Sequence, residues 1–303
     1  MHGYIGVTDP GWWEHLRQTP EPQEANFWSP STRQRRLALG TPFFFKLRAP
    51  HRAVAGFGYF AGFSVLPDWL AWETFGAANG VASLDELRRR LSRIRQRNRM
   101  EDRDGGEIGC AMIAEAVLFP ESDWVDPPAD WASQTVSGKA YDLTSGEGAR
   151  IWTECRARVL SGRAGVAEEA PRYGAPQLQR PRLGQRIFRI RVLDAYGRSC
   201  AITTEHSLPV LDAAHIHPYA DGGPHEVTNG LALRTDLHRL FDRGYVTLDE
   251  NERLVVSRRL QDRYGNGKVY YGLEGRRLTL PTDPRVRPSP RALRWHRERV
   301  FVG

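Results

Sequence analysis

Lysine is nearly absent from this sequence of 303 residues, in which Lys46, Lys139 and Lys268 are the only three. Lys and Arg together still number 43 against 36 Asp and Glu, so arginine carries almost all of the formal net charge of +7. Because the guanidinium fork binds phosphate bidentately, this composition favours a polyanionic partner over a small neutral ligand. A genome rich in arginine codons would produce the same bias, so composition alone leaves both explanations open.

Cysteine and long apolar runs are scarce as well. Cys110, Cys155 and Cys200 lie far apart, which excludes a CxxC zinc knuckle and argues against a disulfide framework. No apolar stretch is long enough to span a bilayer and none stands at the N-terminus, so we expect a cytoplasmic protein with no membrane partner. A hydrophobic content of 40% in 303 residues is typical of a globular protein with two domains.

One stretch, from Leu211 to Asp242, concentrates the polar groups that can carry chemistry. An apolar run over residues 209–216 predicts a strand. A Gly-Gly-Pro turn and a second apolar run, over residues 230–233, follow. Thr235 resembles a helix N-cap, and the helix is predicted to end at Gly244. The predicted order is therefore strand, loop, short strand and helix.

The spacing within this stretch suggests a metal site beside a base. His238 and Asp242 stand four residues apart on the predicted helix, so their side chains project from one face and can share a cation. Imidazole and carboxylate ligands suit several divalent metals, which leaves the metal's identity open. His215, on the facing strand, could accept a proton from a water near that metal. These parts fit metal-assisted hydrolysis of a phosphodiester bond.

The run AAHIHPYADGG, then NG at 229–230 and DLHRLFDRG, resembles the signature of HNH nucleases, the ββα-metal fold. The resemblance implies that His215 is the general base, that Asn229 positions the loop or the base, and that His238 is a metal ligand with Asp242 as a second. Many members carry another ligand just before the base, where this sequence has Ala214. Asp212, His217 or water could take that place. A loop or surface position without a ligand role is the alternative for His217, and it is the interpretation we favour for both His217 and His225.

The first half of the chain, residues 1–143, contains the segments YIGVTDPGWW, FFFKLRAP, GFGYFAGFS and GCAMIAEAVLF. This pattern resembles PUA-like barrels of the EVE, ASCH and SRA kinds, which often precede HNH nucleases in modification-dependent restriction enzymes. The resemblance implies a domain that reads a modified base flipped into a pocket. The first candidates for that pocket are Asn26, Trp28 and Ser29, and the second are Tyr59, Asp68 and Trp69. Aromatic residues in a small barrel are also ordinary core residues, so a structural role is the alternative for each.

The expected fold class is α+β, with a PUA-like β-barrel domain and flanking helices, a connecting helix and linker over residues 144–176, and a ββα-metal HNH nuclease domain over residues 177–303. A helix predicted to begin near Ser83 carries an arginine-rich face, which is either solvated or tracks phosphates. Beside the nuclease site, Arg234, Arg239 and Arg243 are candidates for contact with the DNA backbone.

The leading hypothesis is a metal-dependent DNA endonuclease, a modification-dependent restriction enzyme for phage defence, acting on double-stranded DNA that carries modified bases. One divalent metal per site is implied, and Mg²⁺, Mn²⁺, Ni²⁺ and Zn²⁺ are not distinguished. Since one such site cuts one strand, a homodimer is the simplest route to a double-strand break. The alternatives are a non-catalytic reader of modified DNA with a degenerate HNH unit, and a non-specific nuclease toxin.

Overall fold

A computed structural model of the chain describes residues 1–19, 24–33, 36–100, 106–163 and 184–303. It divides into two compact units, Met1–Arg182 and Leu183–Gly303, and its mixture of helices and strands confirms the predicted α+β class. The part of the predicted linker over residues 164–176 lies outside the described residues. Among the described residues, no helix combines the length and the apolar character that crossing a lipid bilayer requires.

Six strands of the first unit form one sheet in the order β2-β5-β4-β3-β1-β6. The β1 and β3 strands are parallel, and every other neighbouring pair is antiparallel. The strands are β1 (His2–Thr8), β2 (Glu24–Ser29), β3 (Pro42–Leu47), β4 (Val54–Pro67), β5 (Glu107–Leu118) and β6 (Gly138–Asp142).

Four helices accompany this sheet: α1 (Pro10–Gln18), α2 (Asp68–Phe75), α3 (Leu84–Arg97) and α4 (Gly146–Arg163). Their starts follow from capping side chains. The Asp9 carboxylate accepts hydrogen bonds from the amides of Gly11 and Trp12, and Ser83 Oγ accepts one from the amide of Glu86. Capping of this kind satisfies amides that the first turn of a helix leaves without partners.

The consecutive phenylalanines of β3 show why this sheet is buried on both faces. Side chains alternate across a strand, so Phe43 and Phe45 pack with α1 and Phe44 packs with Ile151 and Cys155 of α4. All three phenylalanine side chains are fully buried. The predicted connecting helix therefore lies on the sheet of the first unit, as α4.

The second unit contains both α-helices and β-strands, and its centre is a strand pair followed by a helix. The β7 and β8 strands are antiparallel, with His215 opposite Gly230, and α6 follows directly. The elements are α5 (Gln185–Ala195), β7 (Leu211–His215), β8 (Gly230–Arg234), α6 (Thr235–Asp242), β9 (Val246–Leu248), β10 (Leu254–Val256), α7 (Arg259–Tyr264), α8 (Lys268–Tyr271) and α9 (Pro290–Arg299).

The predicted order of strand, loop, strand and helix is confirmed here, but the predicted cap is wrong. Thr235 is the first residue of α6, and the cap position is Arg234, whose side chain makes no capping hydrogen bond. The Thr235 hydroxyl instead donates to the carbonyl of Val210, 3.2 Å away. The threonine thus ties the helix start to the beginning of β7 rather than satisfying its own helix.

Candidate active site

Asn229 closes the loop between β7 and β8 from inside. Its Oδ1 accepts a hydrogen bond from the His217 amide at 2.9 Å. Its Nδ2 donates to the carbonyls of His217, at 2.9 Å, and Pro224, at 3.0 Å. The side chain is 2% exposed. Because one amide satisfies three backbone groups at both ends of the loop, it holds the chain after His215 in a single path.

The paired glycines of this loop are required by its close turn. Gly222 has a φ of +89°, in the left-handed region that favours glycine. A Cβ on Gly223 would collide with the backbone carbonyl of His217. The Gly-Gly pair therefore lets the loop fold back against the residue that Asn229 clamps.

His215 stands at the end of β7, held between two aromatic groups. Its ring stacks on Phe188 of α5, with centroids 4.0 Å apart and planes at 15°. Its Nε2 lies 2.9 Å from Nδ1 of His225, whose own ring stacks on Tyr219 at 4.1 Å. The opposite residue, Gly230, makes this possible, because a Cβ there would lie 3.0 Å from the Phe188 ring.

His225, to which the sequence assigned no role, is thus brought into contact with the predicted base. It lies ten residues after His215 in a loop whose path depends on Asn229. No local pattern marks a loop histidine as the partner of a strand-end histidine. Only the fold of the loop decides that the two rings meet.

The surroundings favour the neutral form of both imidazoles. Burial, together with the nearby His225 and His238, lowers the pKa of His215 to about 4. Burial also lowers the pKa of His225. A hydrogen bond between two neutral imidazoles needs one N–H and one lone pair. If His215 Nε2 carries the proton and donates to His225, the lone pair on His215 Nδ1 is left to accept a proton. In the other tautomer, His215 Nδ1 carries the proton and has no lone pair to accept another.

His238 lies between two carboxylates rather than beside one. Its Nδ1 is 3.4 Å from Asp212 Oδ2, and its Nε2 is 3.3 Å from Asp242 Oδ2. Burial lowers the pKa of His238, but the hydrogen bond to Asp212 and the charges of both carboxylates outweigh this, so the net shift is upward. Burial raises the pKa of Asp242, and the charge of Asp212 adds to that rise.

These residues have the chemistry of a divalent metal site, in an incomplete arrangement. Within the described residues, no group of three His, Cys, Asp or Glu side chains is arranged to hold a metal ion. The cause is geometric, since the two carboxylates face opposite nitrogens of one ring. A cation could use His238 with Asp242, or His238 with Asp212, and its other ligands would be water or a DNA phosphate.

The structure does not bring His217 to this cluster. Its ring packs on Trp295 of α9, with centroids 4.0 Å apart, and its Nε2 lies 3.0 Å from the carbonyl of Asp221. Asp212 and His217 were the two side chains considered as a replacement for the ligand missing at Ala214. Asp212 lies near His238, whereas His217 does not. Ala214 itself is fully buried.

The three arginines predicted to contact DNA differ in their surroundings. Arg234 forms a two-point ion pair with Asp236, through Nε at 3.0 Å and a terminal nitrogen at 2.6 Å. That pairing occupies its guanidinium. Arg239 and Arg243 are exposed beside the cluster, Arg239 on α6 and Arg243 just after it. They stay candidates for contact with the DNA backbone.

Of the residues proposed to read a base, Asn26 and Trp28 are brought together. The Asn26 amide is fully buried and donates to Asn79 Oδ1 at 2.9 Å and to Cys110 Sγ at 3.3 Å. Trp28 Nε1 donates to the Asn79 carbonyl at 2.7 Å, and Ser29 follows it at the end of β2. The Asn26 Oδ1 atom is buried, and it has no hydrogen-bond partner in the part of the chain that the structure describes.

The second-choice residues lie apart from this pair. Tyr59 packs with Phe57 in the cluster on the α4 face, at a centroid distance of 6.1 Å. Asp68 is held by Arg88 through contacts of 2.8 and 3.1 Å, which is a structural ion pair at the start of α2. Trp69 follows Asp68 on the same helix and is half-buried.

Comparisons with known proteins agree with the order of the motif. Residues 200–249 match the family model of an HNH endonuclease. The unit therefore contains an HNH endonuclease domain, as predicted. The match includes every residue of the predicted site: His215, Asn229, His238 and Asp242, with the alternatives Asp212 and His217. No curated protein matches the chain.

Two solved structures are similar over different extents. ASCH from Zymomonas mobilis is 10% identical, with a TM-score of 0.32, and covers 49% of this chain and 94% of its own. A modification-dependent restriction endonuclease, TagI, is 12% identical, with a TM-score of 0.31, and covers 99% of this chain and 81% of its own.

Proposed function

We propose that this protein is a metal-dependent DNA endonuclease that cuts double-stranded DNA carrying modified bases. The observation that carries the proposal is the placement of His215, Asn229 and His238 within one strand-loop-strand-helix unit that matches the HNH endonuclease model. The arginine-rich composition suits the polyanionic substrate. The first unit would read the modified base, with Asn26 and Trp28 as the pair to test.

His215 would act as the general base. Its lowered pKa keeps the ring unprotonated at neutral pH, and donation from Nε2 to His225 leaves the Nδ1 lone pair available. Nδ1 would take a proton from water as the water oxygen attacks phosphorus. The negative charge of a bound phosphate raises the pKa of a neighbouring imidazole, which makes His215 a stronger base once DNA is present.

His238 and Asp242 would hold the divalent cation, with Asp212 as the alternative carboxylate. When bound, the cation stabilises charge on the phosphate and on the leaving oxygen. In its absence, the hydrogen bond to Asp212 and the charges of both carboxylates raise the pKa of His238 and so favour a proton on its ring. Asp212 also orients the ring through its contact with Nδ1.

The test is a digest of supercoiled plasmid with and without 5-methylcytosine or N6-methyladenine, in the presence of Mg²⁺, Mn²⁺ or Ni²⁺. The parent protein should nick modified plasmid. His215→Ala should slow nicking by about 10²- to 10⁴-fold, the usual contribution of a general base, while DNA binding persists. His238→Ala should raise the metal concentration that nicking requires.

Three outcomes would change the conclusion. Binding without nicking under any metal would leave a reader whose HNH unit only grips the duplex. Nicking by His215→Ala at the parent's rate would remove His215 as the base. Equal nicking of modified and unmodified plasmid would keep the nuclease and remove modified-base reading. Sedimentation of the parent with DNA tests the proposed homodimer, since one site cuts one strand.

A further inference from the structure

The last helix of the second unit, α9, has a charged face that takes no part in the candidate active site. Arg291, Arg294 and Arg299 are exposed on it, and none of them forms an ion pair with a carboxylate among the described residues. Two neighbouring arginines already have partners. Arg297 donates to the backbone carbonyl of Leu248 at 3.2 Å, and Arg285, before the helix, pairs with Asp283 at 2.8 Å.

A buried histidine sets the rotation of this helix. His296 is 1% exposed and stacks on Phe241 of α6, with centroids 3.6 Å apart. Its Nε2 lies 3.0 Å from the Phe241 carbonyl, and its Nδ1 lies 2.9 Å from the Thr247 hydroxyl. The carbonyl can only accept, so Nε2 carries the proton and the hydroxyl donates to Nδ1. The helix that bears His238 and Asp242 is therefore bonded directly to α9.

A second contact joins α9 to the loop between β7 and β8. Trp295 packs against the ring of His217, whose amide and carbonyl are both bonded to the Asn229 side chain. Together with His296, this contact fixes the exposed face of α9 relative to both halves of the site. The backbone that carries the arginines is therefore already in place, so binding a rigid substrate has to order only their side chains.

Between α9 and the loop lies an open cavity of about 420 Å³. It is lined by Asp221, Arg291, Arg294, Trp295, Glu298 and Arg299. Three guanidiniums therefore face two carboxylates, and positive charge is in excess. One face of the Trp295 ring is already covered by His217, so the tryptophan is poorly placed to stack on an unpaired base.

We propose that this face of α9 binds the phosphate backbone of the duplex next to the bond that is cut. The inference rests on the proposed function and adds a surface outside the HNH match at residues 200–249. Arg291, Arg294 and Arg299 contact phosphates of double-stranded DNA. Such contacts set affinity and register on the duplex and carry no sequence information.

The experiment measures binding of the full-length chain to a short fluorescein-labelled duplex by anisotropy, with His215→Ala in every protein to prevent cleavage. The test variant replaces Arg291, Arg294 and Arg299 with alanine. The control is Arg285→Ala, which removes an exposed arginine already paired with Asp283. Circular dichroism and thermal unfolding establish that both variants are folded, as expected for exposed side chains.

Each phosphate contact contributes about 0.9 to the slope of log affinity against log salt, so the triple variant should lose about 2.7 from that slope. The loss of affinity between about 50 and 200 mM salt should then be about 40-fold smaller for the triple variant than for the parent. Arg285→Ala should keep the parent's slope. Glu298→Gln should tighten binding, because it removes a carboxylate from the same cavity.

An unchanged slope in the triple variant would overturn the proposal, as would an equal change in Arg285→Ala. The result is separable from the proposed function. If the protein with His215 intact nicks plasmid while the triple variant keeps the parent's slope, only the role of α9 fails. If the parent neither nicks plasmid nor binds the duplex, both fail.

Discussion

Replacing His225 with phenylalanine tests whether the pairing of two imidazoles governs the reaction. His225→Phe keeps a ring that can stack on Tyr219 but removes the nitrogen that lies 2.9 Å from His215 Nε2. Without that acceptor, His215 is free to carry its proton on either nitrogen. The fraction of molecules with a lone pair on Nδ1 then falls, and so does the rate of cleavage.

The size of the effect follows from the strength of one hydrogen bond. A neutral hydrogen bond contributes about 0.5–1.5 kcal/mol net, which is enough to favour one tautomer of His215. With both tautomers equally populated, the fraction with a lone pair on Nδ1, and with it the rate, should fall by up to about 2-fold. Loss of the base itself should cost far more, about 10²- to 10⁴-fold. His225 also lowers the pKa of His215, second to burial. The acidic limb of the rate should therefore move to higher pH in His225→Phe.

The assay is single-turnover nicking of plasmid from about pH 4 to pH 8, at a metal concentration whose doubling leaves the rate unchanged at each pH. His206→Phe is the matched control, because His206 is an exposed histidine of the same unit. A His225→Phe protein with the parent's rate and an unmoved acidic limb would refute the coupling. A loss as large as that of His215→Ala, in a folded protein, would give His225 a direct role instead.

Three further predictions concern stability and metal binding. Asn229→Ala should lower the free energy of unfolding by about 2–4 kcal/mol in urea titrations, because three loop backbone groups lose their partner. Burial lowers the pKa of His296 to about 4, below the unfolded value of about 6.5, so acidification protonates the unfolded state first. From pH 7 to pH 5, the parent should lose about 2 kcal/mol more than His296→Gln, and equal losses would contradict this. Asp242→Asn should weaken metal binding in a calorimetric titration, whereas an unchanged affinity would assign the cation to the side of Asp212.

The order of elements around the motif could be read from the sequence because it depends on local patterns. The apolar runs that became β7 and β8, the paired glycines and the helical spacing of His238 and Asp242 are each properties of a few neighbouring residues. In the first unit, Phe43, Phe44 and Phe45 are all buried because their strand is covered on both faces. The helix cap was misassigned because Thr235 bonds a residue distant in sequence.

The sequence by itself determined which residue types stand at the nuclease motif and in what order, because the period of a helix and the turn chemistry of glycine act over short spans. Only the tertiary structure decided that His225 meets His215, that Asp212 and Asp242 flank opposite nitrogens of His238, and that α9 packs beside the loop. Those contacts join residues brought together by burial and by backbone hydrogen bonds. No short stretch of sequence contains both partners, so no local pattern could specify them.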